Sequence, residues 1–378
     1  MRRRTLHSLA AGAVFAVAMY AATNIRLRAA ESEQNSYRWN LPKGFPIPYV
    51  PADNPMSEAK VELGRYLFYD ARLSVNGKQS CASCHKQELA FTDGRAVGIG
   101  ATGESHSRGA MSLVNVAWSG ALTWNNPTMK NLEEQALVPM FGEHPIELGL
   151  RRDGGFAQWA RSDAIYLDLF PYAFPDAGDP YTIPNVTKAL ACFERNIVSA
   201  RSAYDRYHYG GDDSAVSESA KRGEVLFFDQ RLSCFRCHGG FNFTDSTVSE
   251  RNPNRTLEFH NTGLYNAPGL YSYPPPNVGI FEYTKAPEDV GKFKAPTLRN
   301  IAVTAPYMHD GSIPTLEGVI EHYAAGGKNG HDNPNKDPLI AGFTISAQGK
   351  ADLIAFLQSL TDAAVLHDAR FGDPWRRE

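Results

Sequence analysis

The chain has 378 residues, of which 43% are hydrophobic and 21% are charged, and its formal net charge is −3 at pH 7. This composition is typical of a globular protein, and the length suits two domains rather than one. A charge so close to zero argues against a nucleic-acid-binding surface, which needs a clear excess of basic residues.

The first 30 residues have the pattern of a leader that directs export. Three arginines at positions 2–4 precede an apolar run from Leu9 to Ala22. A run of this length fits the core of a signal peptide and is short for a membrane span. We therefore predict a signal peptide over residues 1–30 and no stable membrane insertion after its cleavage. An uncleaved membrane anchor is the alternative.

The next stretch, residues 37–56, is rich in proline and aromatic residues. It predicts an extended segment packed on the surface. A helix is expected to begin near Ser57 and to run through Phe68.

Two short motifs carry the chemistry: Cys81-Ala-Ser-Cys84-His85 and Cys234-Phe-Arg-Cys237-His238. Cys-x-x-Cys-His is the pattern of covalent haem c attachment, in which two thiols on one helical turn bond the haem vinyl groups and the histidine binds the iron. We predict two covalent haems c, with His85 and His238 as iron ligands. A zinc site assembled from both motifs is the alternative. Since haem c is attached beyond the membrane, both signals agree on a periplasmic protein.

The sequence around the two motifs is duplicated. Residues 64–74 recur as 223–233, 91–93 (Phe-Thr-Asp) as 243–245, and 112–117 as 297–302. We infer a mainly α fold of two cytochrome c-type domains, each with one haem facing the domain interface. The predicted limits are 31–208 and 209–378.

Three smaller expectations concern the remaining segments. Residues 183–207 have helical periodicity and are predicted to bridge the two copies, whereas residues 252–285 are predicted to be a long loop. Cys192 is the one cysteine outside the motifs, so no disulfide framework is available. We expect its side chain to be buried as a small hydrophobic group.

The two copies differ where a sixth iron ligand is usually delivered. Tyr323 lies seven residues after Leu316, and Pro139 lies seven residues after Leu132, the equivalent position in the first copy. A tyrosine phenolate can bind iron, whereas proline has no donor atom. The second haem is therefore predicted to be closed by His238 and Tyr323, and the first to be open. Tyr323 as a core aromatic, and Tyr307, Met308, His309 or His322 as the ligand, are the alternatives.

Beyond the two motifs, residues 55–365 resemble the bacterial di-haem cytochrome c peroxidases and their relative MauG. The resemblance rests on Trp124, Leu132-Glu133-Glu134-Gln135, Pro139, Ile146-Glu147-Leu-Gly149, Pro296-Thr297-Leu298-Arg299-Asn300 and Thr304-Ala305-Pro306-Tyr307-Met308-His309-Asp310-Gly311. In this family the sixth ligand of the second haem is methionine in typical peroxidases and tyrosine in MauG. The resemblance thus favours Tyr323.

The resemblance also implies roles for four residues of the reaction site. Glu147 corresponds to the acid–base group that moves a proton between the oxygens of hydrogen peroxide. Gln135 corresponds to an amide beside the open iron, Pro139 marks that open face, and Trp124 corresponds to the bridge between the haems. A helix-start carboxylate stabilised by the helix dipole is the alternative for Glu147.

Two further features follow from the resemblance. Family peroxidases often place a histidine on the first haem from a loop position that falls near Ala101, whereas His106 is displaced by five residues. The first haem is therefore predicted to stay open, with His106 ligation as the alternative. A calcium ion between the haems is implied at the backbone carbonyls of Thr304 and Pro306, although Gly109 replaces the family's asparagine.

Residues 37–42, 50–56 and 123–127 look closest to the MbnH-like branch, which is associated with methanobactin and copper handling. That likeness implies oxidation of a tryptophan, in a secreted partner such as a small copper-binding protein, to kynurenine. A peroxidase that draws electrons from a small cytochrome or cupredoxin is the alternative enzyme. A di-haem electron carrier is the alternative without catalysis.

Overall fold

The computed structural model describes residues 37–265, 272–328 and 333–376. The predicted signal peptide lies outside these ranges. Within them the chain is helical and irregular, with isolated β-bridges in place of any sheet, so the predicted mainly α class is confirmed. None of the described helices has the length and apolar character needed to span a bilayer.

The described α-helices are numbered here in chain order. They are α1 (Glu58–Tyr69), α2 (Cys81–Cys84), α3 (Leu132–Gln135), α4 (Leu137–Phe141), α5 (Gly155–Ala160), α6 (Ala164–Ala173), α7 (Ile183–Asn196), α8 (Ala203–His208), α9 (Glu218–Phe227), α10 (Cys234–Cys237), α11 (Phe281–Thr284), α12 (Leu316–Ala324) and α13 (Ala347–Ser359). Short 3₁₀ turns stand between them at Ala71–Leu73, Gln87–Leu89, Val116–Trp118, Pro287–Asp289 and Ile301–Val303.

The first helix begins where the sequence predicts. The Ser57 hydroxyl accepts a hydrogen bond from the amide of Lys60, which caps the N-terminus of α1. Helix α1 buries Leu63, Leu67 and Phe68 in the first core, against α6 and α7.

Each copy is built on one close crossing of two helices. An added Cβ at Gly64 of α1 would lie 2.0 Å from the carbonyl oxygen of Ala189 in α7. At the equivalent Gly223 of α9 it would lie 1.9 Å from the carbonyl oxygen of Asp352 in α13. The repeated glycine is therefore required because the two backbones touch at that point.

The repeated asparagines have matching local roles. Asn115 and Asn300 both adopt left-handed backbone, with φ of 57° and 60°, and each precedes a 3₁₀ turn. Both also reach the same connecting residue: Asn115 accepts from the amide of Ser199, and Asn300 donates to its hydroxyl. The two copies are thus joined by equivalent side chains that converge on one residue.

Residues 183–207 are largely helical, as their periodicity indicates, but they form two helices instead of one continuous helix. Helix α7 ends at Asn196 and α8 begins at Ala203. The residues between them are held by side chains instead of helical bonds: the amides of Ala200 and Arg201 both donate to the Asp362 carboxylate. Long-range capping therefore overrides the local periodicity.

The C-terminal tail returns to the first copy. Val365, Leu366 and Phe371 belong to the first core, and the ring of Trp375 lies 5.0 Å from that of Tyr66. The predicted limits at 208 and 209 remain a prediction, and the last residues of the second half pack with the first half. As predicted, Cys192 is fully buried.

The helix crossings give a stability prediction. Replacing Gly64 or Gly223 by alanine should lower the free energy of unfolding by about 1–3 kcal/mol, because the methyl group forces touching backbones apart. The matched control is Gly178→Ala, since a Cβ at Gly178 has no atom within 4 Å. Thermal unfolding of the haem-loaded protein would show this, and equal midpoints for all three variants would contradict it.

Candidate active site

The two motifs line two separate cavities. Cys81, Cys84 and His85 face a cavity of about 210 Å³, and Cys234 and His238, with Cys237, face another of about 370 Å³. Each is many times larger than the roughly 30 Å³ of one water molecule. The two spaces are therefore of a size for ligands rather than packing defects.

The ring orientation of each motif histidine is fixed by backbone carbonyls. Nδ1 of His85 is 2.8 Å from the carbonyl oxygen of Phe91. Nδ1 of His238 is 3.2 Å from that of Phe243 and 3.1 Å from that of Pro296. Such bonds fix the tautomer and leave Nε2 as the atom for a metal. The repeated Phe-Thr-Asp is now explained, because its phenylalanine supplies this carbonyl in both copies.

The donor set fits a haem in each cavity and does not fit zinc. The two motifs lie in different cavities, and in the described part of the chain no cluster of metal-ligating side chains contains both. A zinc site assembled from both motifs is therefore wrong. Burial raises the pKa of the Cys81, Cys84 and Cys234 thiols, which disfavours the thiolate form that zinc needs.

Two residues that line the first cavity each have a buried polar atom that is available to a ligand. Within the described ranges, Oε1 of Gln79 and Nε of Arg108 are buried without a hydrogen-bond partner, and both residues line this cavity. A guanidinium nitrogen suits a carboxylate, and haem carries two propionates. The first cavity thus has two thiols for the vinyl groups of a haem, an imidazole for its iron and a guanidinium for a propionate.

The residues predicted to face the open side of the first haem come together. Gln135 at the end of α3, Pro139 in α4 and Glu147 all line the cavity of the first motif. The Pro139 carbonyl accepts a hydrogen bond of 2.9 Å from the amide of Leu148. This bond holds the residue after Glu147 beside the proline that marks the open face.

Glu147 is a half-buried carboxyl with a raised pKa, and burial is the cause. Its Oε1 lies 3.7 Å from Nε2 of His106, which lines the same cavity. The sequence offers His106 only as an iron ligand, so its approach to Glu147 is a contact that sequence reasoning missed. The contact depends on a hairpin that brings residue 106 back to residue 147.

A second carboxyl in this cavity was also missed. Glu194 of α7 is 7% exposed, and burial raises its pKa to about 8. It lines the first cavity beside Leu190, one turn earlier on the helix. The sequence shows that positions 190 and 194 lie on the same face of a helix. No sequence motif, however, indicates that a carboxyl group on this apolar face lines a cavity.

The second cavity contains the predicted ligand Tyr323. Its side chain lines the space with His238 and the motif cysteines, on the face of α12 that also carries Leu316 and Ile320. Burial raises the pKa of the Tyr323 hydroxyl, so an apolar cavity without a cation favours its neutral form. Met308 lines the same cavity.

The three other candidates for this position are engaged elsewhere. Each forms a hydrogen bond through its side chain: the Tyr307 hydroxyl donates to the Ile301 carbonyl at 3.1 Å, Nε2 of His309 is 2.9 Å from Oδ1 of Asn277, and Nε2 of His322 is 2.9 Å from the Thr262 carbonyl. Of the five candidates for the sixth ligand, Tyr323 and Met308 are therefore the two that line the cavity without one of these hydrogen bonds.

A charged cluster lies beside the second motif. His260 is clamped between the carboxylates of Asp245 and Asp337, each at 2.7 Å. These hydrogen bonds outweigh burial and raise the pKa of His260 to about 12. The imidazolium and two carboxylates leave one net negative charge near Cys237. Sequence reasoning missed the clamp, although Asp245 belongs to the repeated Phe-Thr-Asp.

Trp124 lines both haem cavities and the space between them. Its indole Nε1 donates to the Gly109 carbonyl at 2.9 Å, and the Gly109 amide donates to the His309 carbonyl at 3.1 Å. The structure thus places this indole at the boundary of the two copies.

The predicted calcium residues surround the space between the cavities. Thr304, Pro306 and Gly109 all line it. Asp93 lines it too, and its Oδ2 is buried without a hydrogen-bond partner in the described residues. Lys294, buried at the same space, donates to the Ala121 carbonyl at 2.6 Å, and burial lowers its pKa to about 7.

Comparison with known proteins agrees with this arrangement. Residues 58–214 match the profile of the di-haem cytochrome c peroxidase family (CCP_MauG), and residues 292–324 match a RoxA-like cytochrome c profile. The chain is 35% identical to the methylamine utilization protein MauG of Methylophilus methylotrophus, over 84% of this chain and 86% of that protein. It is 34% identical to the cytochrome-c peroxidase IdrP1 of Pseudomonas sp. (strain SCT), over 85% and 86%.

A solved structure is more similar still. It is a MauG-like protein associated with microbial copper homeostasis, which aligns with a TM-score of 0.86 and 46% identity over 90% of this chain and 100% of that one. Two cavities with covalent haem motifs, on a duplicated helical frame, are what these relatives lead one to expect. The chain therefore belongs to the family of di-haem cytochrome c peroxidases and MauG, and is a di-haem oxidoreductase that reacts with hydrogen peroxide.

Proposed function

We propose that this enzyme uses hydrogen peroxide to oxidise a side chain of a partner protein at a distance, as a MauG-like oxidase, and that the side chain is a tryptophan converted to kynurenine. The observation that carries the proposal is Tyr323 in the cavity of the second motif. An anionic phenolate stabilises oxidised iron over reduced iron, which suits an oxidase better than an electron reservoir.

The motif residues hold the cofactors in this scheme. Cys81 and Cys84 would attach the first haem, with His85 as its iron ligand. Cys234 and Cys237 would attach the second haem, and His238 and Tyr323 would bind its iron. The haems would supply the redox chemistry: each peroxide provides two oxidising equivalents, so converting one tryptophan to kynurenine and formate consumes two molecules of peroxide.

Glu147 is the proton-handling group of the first cavity. Its carboxylate accepts the proton from one peroxide oxygen and returns it to the other, which leaves as water. Gln135 lines the same wall and offers an amide donor to peroxide. Pro139 places no donor atom toward the open side, so peroxide meets no competing ligand from that position.

Trp124 carries electrons between the two cavities. Its ring lines both of them, and a fixed Nε1–H to the Gly109 carbonyl holds the ring in one orientation. An indole can lose and regain one electron, so the oxidising equivalents are shared between the copies. Sharing lets the enzyme act on a residue that never enters the first cavity.

The partner is proposed to be a secreted, small copper-binding protein. Support comes from the similar structure that is associated with copper homeostasis, and from residues 37–42 and 123–127, which resemble the MbnH-like branch. Export by the predicted signal peptide would place enzyme and partner together in the periplasm.

A peroxidase supplied with electrons by a small cytochrome or cupredoxin is the second candidate. Met308 lines the cavity of the second motif together with Tyr323, and a methionine-ligated haem has the higher potential that this activity needs. The curated relatives include cytochrome-c peroxidases. The identity of the ligand at the second iron therefore separates the two functions.

Calcium between the haems is proposed as a structural ion. Oxygen ligands suit it, and the space offers the Thr304 and Pro306 carbonyls together with the unpartnered Oδ2 of Asp93. Asp93 thereby compensates for the absence of a side-chain oxygen at Gly109.

Replacing Tyr323 by histidine tests the ligand and the function together. The neutral nitrogen should raise the potential of the second haem and abolish peroxide-dependent modification of the partner, while peroxide still reacts at the first haem. Mass spectrometry of the partner and the haem spectrum measure both effects. The matched control is Met308→Leu, which should change neither. If Met308→Leu alters the second haem and Tyr323→His does not, the peroxidase is favoured.

Replacing Glu147 by glutamine should slow the reaction with peroxide by about 100- to 10,000-fold, the usual contribution of a positioned acid–base group. The amide keeps the shape of the side chain but cannot accept the proton. Stopped-flow absorbance of the first haem measures the rate, and haem content checks assembly. An unchanged rate would remove Glu147 from the mechanism.

Replacing Trp124 by phenylalanine should leave the initial reaction with peroxide intact and slow the spectral change of the second haem. Phenylalanine fills most of the space but is far harder to oxidise. The control is Trp159→Phe, because Trp159 lines none of these three cavities. Equal second-haem kinetics in both variants would exclude Trp124 as the bridge.

A further inference from the structure

The backbone around Glu147 is fixed by a hairpin formed by residues 98–108. The hairpin closes through the amide of His106 to the Gly98 carbonyl at 2.7 Å and the amide of Gly100 to the Glu104 carbonyl at 2.8 Å. It then docks on the glutamate: the amide of Ala101 donates to the Glu147 carbonyl at 2.7 Å. The hairpin and the acid–base residue therefore form one rigid unit.

Two further contacts tighten this unit. The Glu104 carboxylate accepts a hydrogen bond of 2.9 Å from the amide of Ile146. An added Cβ at Gly100 would lie 1.9 Å from the Ile146 carbonyl oxygen, so only glycine permits the approach. With the amide of Leu148 bonded to Pro139 on the other side, the segment around Glu147 is held from both flanks.

The hairpin brings His106 back to the cavity, and one of its ring nitrogens is already engaged in a hydrogen bond. Nδ1 of His106 accepts a hydrogen bond of 3.2 Å from the amide of Arg108, so the proton of the neutral ring lies on Nε2. Nε2 is the atom that lies 3.7 Å from Oε1 of Glu147. The ring therefore presents a donor, rather than a lone pair, to the carboxylate.

We propose that His106 is a positioning residue for Glu147, whose Nε2–H donates to the carboxylate and keeps it oriented and ionised as the base for peroxide. This inference rests on the proposed role of Glu147. The gap of 3.7 Å is longer than a hydrogen bond, and a small side-chain rotation closes it, as is common for catalytic contacts before a ligand binds.

The charges around the pair favour this assignment. Burial lowers the pKa of His106, and the neighbouring Arg108 guanidinium lowers it further, so the ring is neutral and its Nδ1 stays an acceptor. Burial raises the pKa of Glu147, which works against a carboxylate. A donor from His106 offsets this effect, because a hydrogen bond to the charged form stabilises it. Glu104, the other carboxyl on the hairpin, is engaged with Ile146.

Two substitutions separate the two ring nitrogens of His106. Asparagine keeps an acceptor near the position of Nδ1 for the Arg108 amide but has no donor that reaches Glu147. Glutamine reaches the position of Nε2 with an N–H donor but loses the acceptor for Arg108. A positioning role predicts that glutamine preserves function and asparagine does not, whereas a role in hairpin structure alone predicts the reverse.

The readout is cyanide binding to the ferric first haem, which is independent of turnover. Hydrogen cyanide must give up its proton on binding, so its association rate follows the ionisation of the nearby base. In His106→Asn, the pH of the half-maximal rate should rise by about one unit, since one hydrogen bond to a charged group is worth about that much. In His106→Gln this pH should stay close to that of the wild-type protein.

The reference variant is Glu147→Gln, in which the pH dependence should disappear. If it persists there, the proposed role of Glu147 fails and this inference fails with it. If it disappears there but His106→Asn behaves as the unchanged protein, only the His106 inference is overturned. A low-spin ferric first haem that becomes high-spin in His106→Asn would show that His106 binds the iron, which also overturns it.

Discussion

The junction of the two copies depends on how Trp124 is held. Its indole donates to the Gly109 carbonyl at 2.9 Å, and its own carbonyl accepts from the amide of Lys294 at 2.9 Å. Gly109 belongs to the first copy and Lys294 to the second, so the side chain and the backbone of one residue are tied to both. Gly109 also donates to the His309 carbonyl, so a continuous chain of hydrogen bonds crosses from the first copy to the second at this residue.

The two copies share their backbone arrangement and differ in the side chains that line their cavities. The helix crossings at Gly64 and Gly223 have nearly equal backbone distances. Each motif histidine is hydrogen-bonded to the carbonyl of the equivalent phenylalanine. The copies differ at the sixth-ligand position, where one has Pro139 and the other Tyr323. The same backbone frame therefore presents different side chains to the two cavities.

The long excursion of the second copy adds what the first copy lacks. Residues 252–285 were predicted to be a loop, and apart from the single turn of α11 their described part is irregular. They supply His260, which Asp245 and Asp337 clamp, and Asn277, which holds His309. The excursion thus builds the polar surroundings of the second cavity rather than an independent unit.

The parts that could be predicted from the sequence rest on local spacing. The motifs, the start of α1 and the burial of Cys192 depend on neighbours within a few residues, and the repeat is visible because its two copies keep the same local spacing. The break between α7 and α8 could not be predicted, because it depends on Asp362, more than one hundred and sixty residues away from Ala200. His260 and Asp337 are 77 residues apart, and nothing near either position signals the other. Sequence reasoning therefore finds the haem-attachment motifs and misses contacts between residues that lie far apart in the chain.

Opposite physical effects govern the titrating groups of the two cavities. In the first, desolvation dominates: it raises the pKa of Glu147 and Glu194 and lowers that of His106. Beside the second, hydrogen bonds that His260 donates to two carboxylates outweigh desolvation and keep its imidazole charged. Groups whose uncharged form is favoured by burial respond strongly to one added donor or charge, whereas a clamped ion pair does not. The groups that can exchange a proton are therefore found in the first cavity, where the proposed acid–base residue Glu147 lies. The second cavity has a clamped imidazolium beside it, and its charge changes little with pH.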